Sequence, residues 1–196
     1  MRKLMLGSLM LISVIGAFAQ TPAKDQYKKS KVLGVHFTTH DFATASDIKA
    51  NGLSNVLTKS GWSSMSTKST GLAVSYITGL SNNLDLMTRV GGSVLNYPVP
   101  DKKALVDKLL LEADVNLNIK LIPDNFVVVP YLSLGAGASS WGGYLSAYMP
   151  LGAGLQVNLS DESFIFLQSQ YRAPITTNNG ASHIFWGVGF AANLSK

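Results

Sequence analysis

Cysteine is absent from the 196 residues. That excludes disulfides, thiolate metal ligands and lipid attachment at an N-terminal cysteine. Charge is scarce as well. Asp, Glu, Lys and Arg make up 14% of the chain, against about 25% in an ordinary soluble domain. A large part of the surface is therefore set to face something other than water. Long apolar runs are also missing: past the N-terminal leader none reaches the roughly 18 residues of a spanning helix. The formal net charge of +5 includes Arg2 and Lys3 of the leader, and no basic helix follows the lysines near the start. No nucleic-acid partner is implied.

What the chain does have is a leader and a repeated alternation. Arg2 and Lys3, the apolar run 4–16 and the small-x-small triplet Ala17-Phe18-Ala19 have the form of a secretory signal peptide. Residues 1–19 are expected to be removed by cleavage before Gln20. Residues 20–31 are polar, carry Lys24, Lys28, Lys29 and Lys31, and read as a flexible N-terminal tail. Contact with anionic headgroups is a second reading of those lysines. Residues 32–196 are long enough for one domain.

Residues 109–121 carry the clearest pattern. Leu109, Leu111, Ala113, Val115, Leu117, Ile119 and Leu121 are apolar, while Glu112, Asp114, Asn116, Asn118 and Lys120 lie between them. A period of two means a strand with one oily and one wet face. It exceeds the roughly 9–11 residues of a spanning strand. The same alternation recurs at about 32–42, 71–80, 84–96, 126–138, 147–159, 163–173 and 182–194, giving eight strands. The connections after strands two, four and six read as short turns, and those after the odd strands as longer loops. The longest, 43–70, is expected to hold a short helical turn near 47–57. Outer-membrane barrels place short turns at the periplasmic end and long loops outside. The expected fold is all-β: a closed, antiparallel, up-and-down, eight-stranded transmembrane β-barrel.

Volume decides which face looks inward. The interior of an eight-stranded barrel is just wide enough for its own side chains. The oily face, rich in Leu, Val, Ile and Phe, would overfill it; the wet face of Gly, Ser, Asn and Gln suits it. An Arg or Lys facing mid-bilayer lipid would cost about 2–4 kcal/mol. The wet face therefore goes in, and closure removes both sheet edges. Asp85, Glu112 and Asp114 are expected to pair with Arg89, Lys120 and Arg172. With Gln168 and Gln170 they would form an interior polar network that plugs the lumen and leaves no continuous pore. Tyr76, Tyr97, Tyr131, Tyr144, Tyr148, Tyr171, Trp141 and Trp186 are candidates for interfacial girdles, or for filling lumen and loops.

This layout resembles the N-terminal barrel domain of the OmpA family of outer-membrane proteins. The likeness is carried by 32–42, 71–97, 109–121, the run Pro150-Leu-Gly-Ala-Gly-Leu-Gln-Val-Asn158 and Gln168-Ser-Gln-Tyr-Arg172. It implies a monomeric barrel that supports envelope integrity, contacts outer-membrane lipids and is seated by the barrel-insertion machinery. Some members act as weak pores or adhesins. Two departures stand out. Many relatives continue into a peptidoglycan-binding domain, whereas this sequence stops at Lys196, so no such domain is expected. Many such barrels also end on an aromatic residue, whereas here Phe190 is the nearest to the end.

Some eight-stranded outer-membrane barrels modify lipids, using a His with a Ser or an acid at the outer rim. His36, His40 and His183 are the candidates here. Closure makes strands one and eight neighbours, so His40 and His183 are expected to meet at the rim with Asp41 and Ser182 beside them. That would assemble a base, an orienting acid and a hydroxyl, or a two-His metal site. The leading reading takes these groups as polar filling, with no catalytic, cofactor or metal site. The alternatives are a lipid-modifying enzyme and a soluble, secreted ligand-binding barrel.

Overall fold

The computed structural model describes residues 26–58, 62–95, 109–160, 163–176 and 179–194. The leader (1–19) and Tyr97 lie outside the described residues. Eight strands follow one another: β1 Val32–Asp41, β2 Ser69–Ser81, β3 Leu84–Val94, β4 Leu109–Lys120, β5 Val128–Trp141, β6 Tyr144–Ser160, β7 Ser163–Pro174 and β8 His183–Asn193. Each pairs antiparallel with the next, and β8 pairs with β1 to close the barrel. Alternation sets which side chains are covered. Along β4, Leu111, Val115 and Leu117 are exposed on the perimeter, while Glu112, Asp114, Asn116 and Lys120 are buried in the lumen. Leu155 of β6 is likewise outside. Closure pairs every strand on both sides, as a wall without water must.

Two connections depart from the expected long–short alternation. The link from β5 to β6 is not a loop over 139–146 but the two residues Gly142 and Gly143. Their φ values of 52° and 82° mark a type I′ hairpin, which needs positive φ at both central positions. The Gly-Gly pair therefore lets both strands extend to the turn. Conversely, the link from β4 to β5 runs from 121 to 127, longer than the expected 122–125, because Val128 is the first residue of β5.

The first connection contains two helices, α1 Phe42–Asn51 and α2 Leu53–Thr58, and a 3₁₀ turn, Met65–Thr67. Asp41 ends β1 and caps α1, accepting from the Thr44 backbone N–H at 2.8 Å. An acidic N-cap at the strand end is why the helix starts at Phe42, five residues before the expected turn.

Tyr131, Tyr148 and Trp141 face the lumen and are not girdle residues. In the β5–β6 register Tyr131 sits opposite Gly154 and Tyr148 opposite Gly137. A methyl on Gly154 would come within 2.3 Å of the Tyr131 ring, and one on Gly137 within 2.6 Å of the Tyr148 ring. Each ring thus lies over a glycine of the neighbouring strand, where no side chain competes for the space. Tyr76 and Trp186 face outward, and Tyr144 and Tyr171 are half-buried.

Of the expected tail over 20–31, residues 26–31 lie across the short-turn mouth. The Tyr27 N–H donates to Asn82 Oδ1 at 3.1 Å. The Lys29 and Lys31 carbonyls accept from the Gly79 and Leu194 N–H groups at 3.1 and 3.0 Å. The physical reason is Lys29, whose ammonium finds two carboxylates inside the barrel.

A polar lumen as the candidate functional site

The strands β3, β4 and β7 present their wet faces to one another near the long-loop end. Arg89 and Asp114 are cross-strand partners. Arg89 donates to Asp114 from Nε at 3.2 Å and Nη2 at 3.0 Å, and to Gln168 and Gln170 at 2.9 and 2.8 Å. Arg172 donates from Nη1 to Glu112 and from Nη2 to Asp114 at 3.0 Å. Tyr148 donates its hydroxyl to Asp114 at 3.1 Å. Gln168 and Gln170 reach Ser133 across the lumen. Both guanidinium carbons stand over the Phe185 ring, at 4.1 and 4.0 Å. Buried ions survive only when paired and hydrogen-bonded, and here two arginines meet two carboxylates.

A second network fills the short-turn end. Lys120 Nζ lies 3.0 Å from Asp85 and 2.7 Å from Asp124. Lys29 Nζ lies 2.7 Å from Asp85 and 3.4 Å from Asp124. Gln156 donates to Asp124 at 3.1 Å. Asn158 ties down the same turn by donating to the Asp124 and Phe126 carbonyls. Met87 of β3 and Phe166 of β7 belong to an apolar layer between the two networks. Above the first network, Phe42, Leu95, Leu110 and Trp141 form an apolar lid.

All eight residues named for the interior network therefore lie in the lumen, divided between the two groups. Asp85 and Lys120 belong to the second; Arg89, Glu112, Asp114, Gln168, Gln170 and Arg172 belong to the first. Lys29 and Asp124 were missed because neither lies on a strand. Tyr148 is among the aromatic residues expected either in a girdle or filling lumen and loops, and Phe185 carries no expected role. The wet-face parity of Tyr148, two strand steps from Gly152, was the available signal.

His40 and His183 do meet, with ring centroids 5.4 Å apart. Their acid is Glu112: His40 Nδ1 is 3.2 Å and His183 Nε2 3.0 Å from its two oxygens. Asp41 is not part of this group. It sits one residue from His40, so alternation turns it to the other face, where it caps α1. Nor are the two imidazoles at an open rim: both are buried, with the Phe42 ring 4.7 Å from that of His183. His36 lies deeper, 2.7 Å from Ser75 Oγ. Ser182 precedes β8 and is half-buried.

The ligand atoms of His40, Glu112 and His183 all lie within 4.8 Å of one another, a donor set that zinc-like ions accept. The charges argue otherwise. Glu112 is already engaged by Arg172, and the network's two cations match its two anions. A divalent cation would add two uncompensated charges in a medium of low dielectric constant. We read the three residues as a polar cluster in which His183 is hydrogen-bonded to Glu112 and His40 stands beside the same carboxylate. Voids beside each network measure about 10 Å³, room for about one water.

The exterior completes the description. Leu33, Phe37, Leu72, Leu134, Leu151 and Phe190 belong to an exposed apolar face that circles the barrel. Water-soluble monomers do not expose a continuous surface of this kind, whereas a lipid-facing wall requires it. The fold and surface are those of a transmembrane β-barrel of the outer-membrane type. No family model matches the chain, and a search of curated proteins finds no match. Among solved structures it is similar to the outer membrane protein OprG of Pseudomonas aeruginosa, with a TM-score of 0.55 at 10% identity over 86% of this chain and 97% of that one. It is also similar to Neisserial surface protein A, with a TM-score of 0.53 at 15% identity over 85% and 99%. The N-terminal β-barrel domain of Pseudomonas aeruginosa OprF gives 0.51 at 14% identity over 84% and 98%. At these identities the likeness is one of fold.

Proposed function

We propose that this chain is a monomeric, non-enzymatic integral protein of a bacterial outer membrane, supporting the envelope or making surface contacts through its outward loops. It is exported by a signal peptide over 1–19 and seated by the barrel-insertion machinery. The observation that carries this reading is the lumen. Its ions are matched within two networks, and the candidate catalytic imidazoles lie beneath an apolar lid. Among the described residues, such an interior offers neither a wide conduit nor an acid–base group within reach of a lipid ester.

The test has three arms. Membrane fractionation should retain the protein until detergent is added, and the folded form should migrate differently on a gel before and after boiling. Planar bilayers should show no steady conductance. Purified protein should leave lipid A and phospholipid acyl chains intact. Acyl loss that His40→Ala abolishes would transfer the assignment to a lipid-modifying enzyme. Release without detergent would transfer it to a soluble barrel.

A further inference from the structure

The first connection does not rise into the water above the barrel. Phe37 on β1 and Val188 on β8 are open to the surroundings, yet Thr39 and Ile184, on the same outer faces, are only 8% and 6% exposed. What covers that part of the wall is the connection itself. α1 packs against β8, and the ring of Trp62 meets that of the outward-facing Trp186 edge to face, with centroids 6.2 Å apart. Polar ties hold the fold-over. Asp41 accepts from the Thr44 N–H and hydroxyl at 2.8 and 2.7 Å, with Lys68 Nζ 3.8 Å away. The Thr44 hydroxyl in turn accepts from the Ser63 N–H at 2.9 Å.

On the side that this segment turns away from the barrel, four large apolar side chains stand open among Ser, Thr, Asn and Lys residues. Leu57 is 59% and Met65 66% exposed, and Leu53 and Trp62 are exposed as well. Through the Trp62–Trp186 contact this patch runs on without a break from the apolar belt. Its inner side, with Ala45 and Val56, is fully buried. Large apolar side chains held open beside a lipid-facing wall are placed to lie in the interface between headgroups and acyl chains. Trp is the residue type favoured at that level.

We propose that residues 42–58 and 62–67 form a lipid-seated collar on the β8 side of the barrel, with Leu57, Trp62 and Met65 inserted among the outer-leaflet lipids. This rests on the membrane location proposed above. The occupant is lipid because the patch is continuous with the belt, so any molecule that wets the belt wets the patch.

The absence of cysteine makes the test direct. A nitroxide is attached singly at Leu57→Cys and Met65→Cys, at Leu72→Cys in the belt, and at Asn125→Cys in a short turn. The full chain is reconstituted in phosphatidylcholine–phosphatidylglycerol vesicles, and relaxation by oxygen is compared with relaxation by a water-soluble nickel chelate. Labels at 57 and 65 should favour oxygen several-fold, as at 72, while 125 favours nickel. If 57 and 65 behave like 125 while 72 is shielded, the collar is wrong and the membrane location stands. Nickel access at 72 as well would sink the location itself. Spin–spin broadening at 57 that vanishes on dilution with unlabelled protein would show a second copy on the patch and overturn the lipid assignment.

Discussion

At the long-loop end of the lumen two arginines face two carboxylates, and at the short-turn end two lysines do. The charge balance is the same but the construction is not. The arginine network is built from strand residues alone, on β3, β4 and β7, and its guanidinium planes rest on the Phe185 ring. Arginine's planar fork suits such a dry site, because it makes several aimed hydrogen bonds at once and is weakly hydrated. The lysine network recruits Lys29 from the N-terminal segment and Asp124 from a turn, near the barrel mouth. Lysine's compact ammonium on a long stem can enter from outside the wall. One end is a fixed element of the barrel; the other is a latch closed by the chain's own leading segment.

The largest difference between the ends should appear at Asp114. It accepts from Arg89, Arg172, Tyr148 and Asn116, so Asp114→Ala leaves the buried Arg89 without a carboxylate and Arg172 with Glu112 alone. Breaking a buried pair typically costs about 3–5 kcal/mol. The guanidinium midpoint for unfolding from lipid vesicles should fall accordingly, and the heat-modifiable band should weaken. An unchanged midpoint would mean that the arginine network does not hold the barrel together.

Next in size is Tyr148→Phe, which removes one hydrogen bond to a charged acceptor and leaves the ring over Gly137. A loss of about 2 kcal/mol is expected by the same unfolding measurement. Lys29→Ala should cost less, about 1 kcal/mol, since Lys120 stays on both Asp85 and Asp124 and water can reach the mouth. Its clearer signature is hydrogen exchange: the Gly79 amide, which donates to the Lys29 carbonyl, should exchange faster. Equal losses from Lys29→Ala and Asp114→Ala would erase the distinction between latch and wall.

The same contrast explains what could be read in the sequence. Strand parity is a local property, so the positions of Glu112, Asp114 and Lys120 on one face and Leu111 and Leu117 on the other follow from the order of residues along β4. Volume then decides which face goes inside. Partners supplied from elsewhere are not local. Nothing in the sequence near Lys29 says that its stem enters the barrel, and nothing near Asp124 says that a turn folds back over the mouth. The rim histidines show the limit within strands too. Closure brings His40 to His183, but the acid that meets them comes from β4, on neither neighbouring strand. The first connection was hardest, because its course depends on an aromatic contact between residues 62 and 186.

Tyr131 gives the smallest effect and the sharpest comparison, because it mirrors Tyr148 at the other end. Each ring covers a glycine across the β5–β6 ladder. The hydroxyls differ: that of Tyr148 reaches Asp114, and that of Tyr131 finds no hydrogen-bond partner among the described protein residues. A buried hydroxyl without a protein partner brings desolvation cost without the compensating bond. Tyr131→Phe keeps the ring over Gly154 and removes only that oxygen. Its unfolding midpoint should stay within about 0.5 kcal/mol of the parent or rise slightly, the range of substitutions that break no specific contact. A loss as large as that of Tyr148→Phe would mean that Tyr131 belongs to the lysine network through an intervening water, and that the two ends are wired alike.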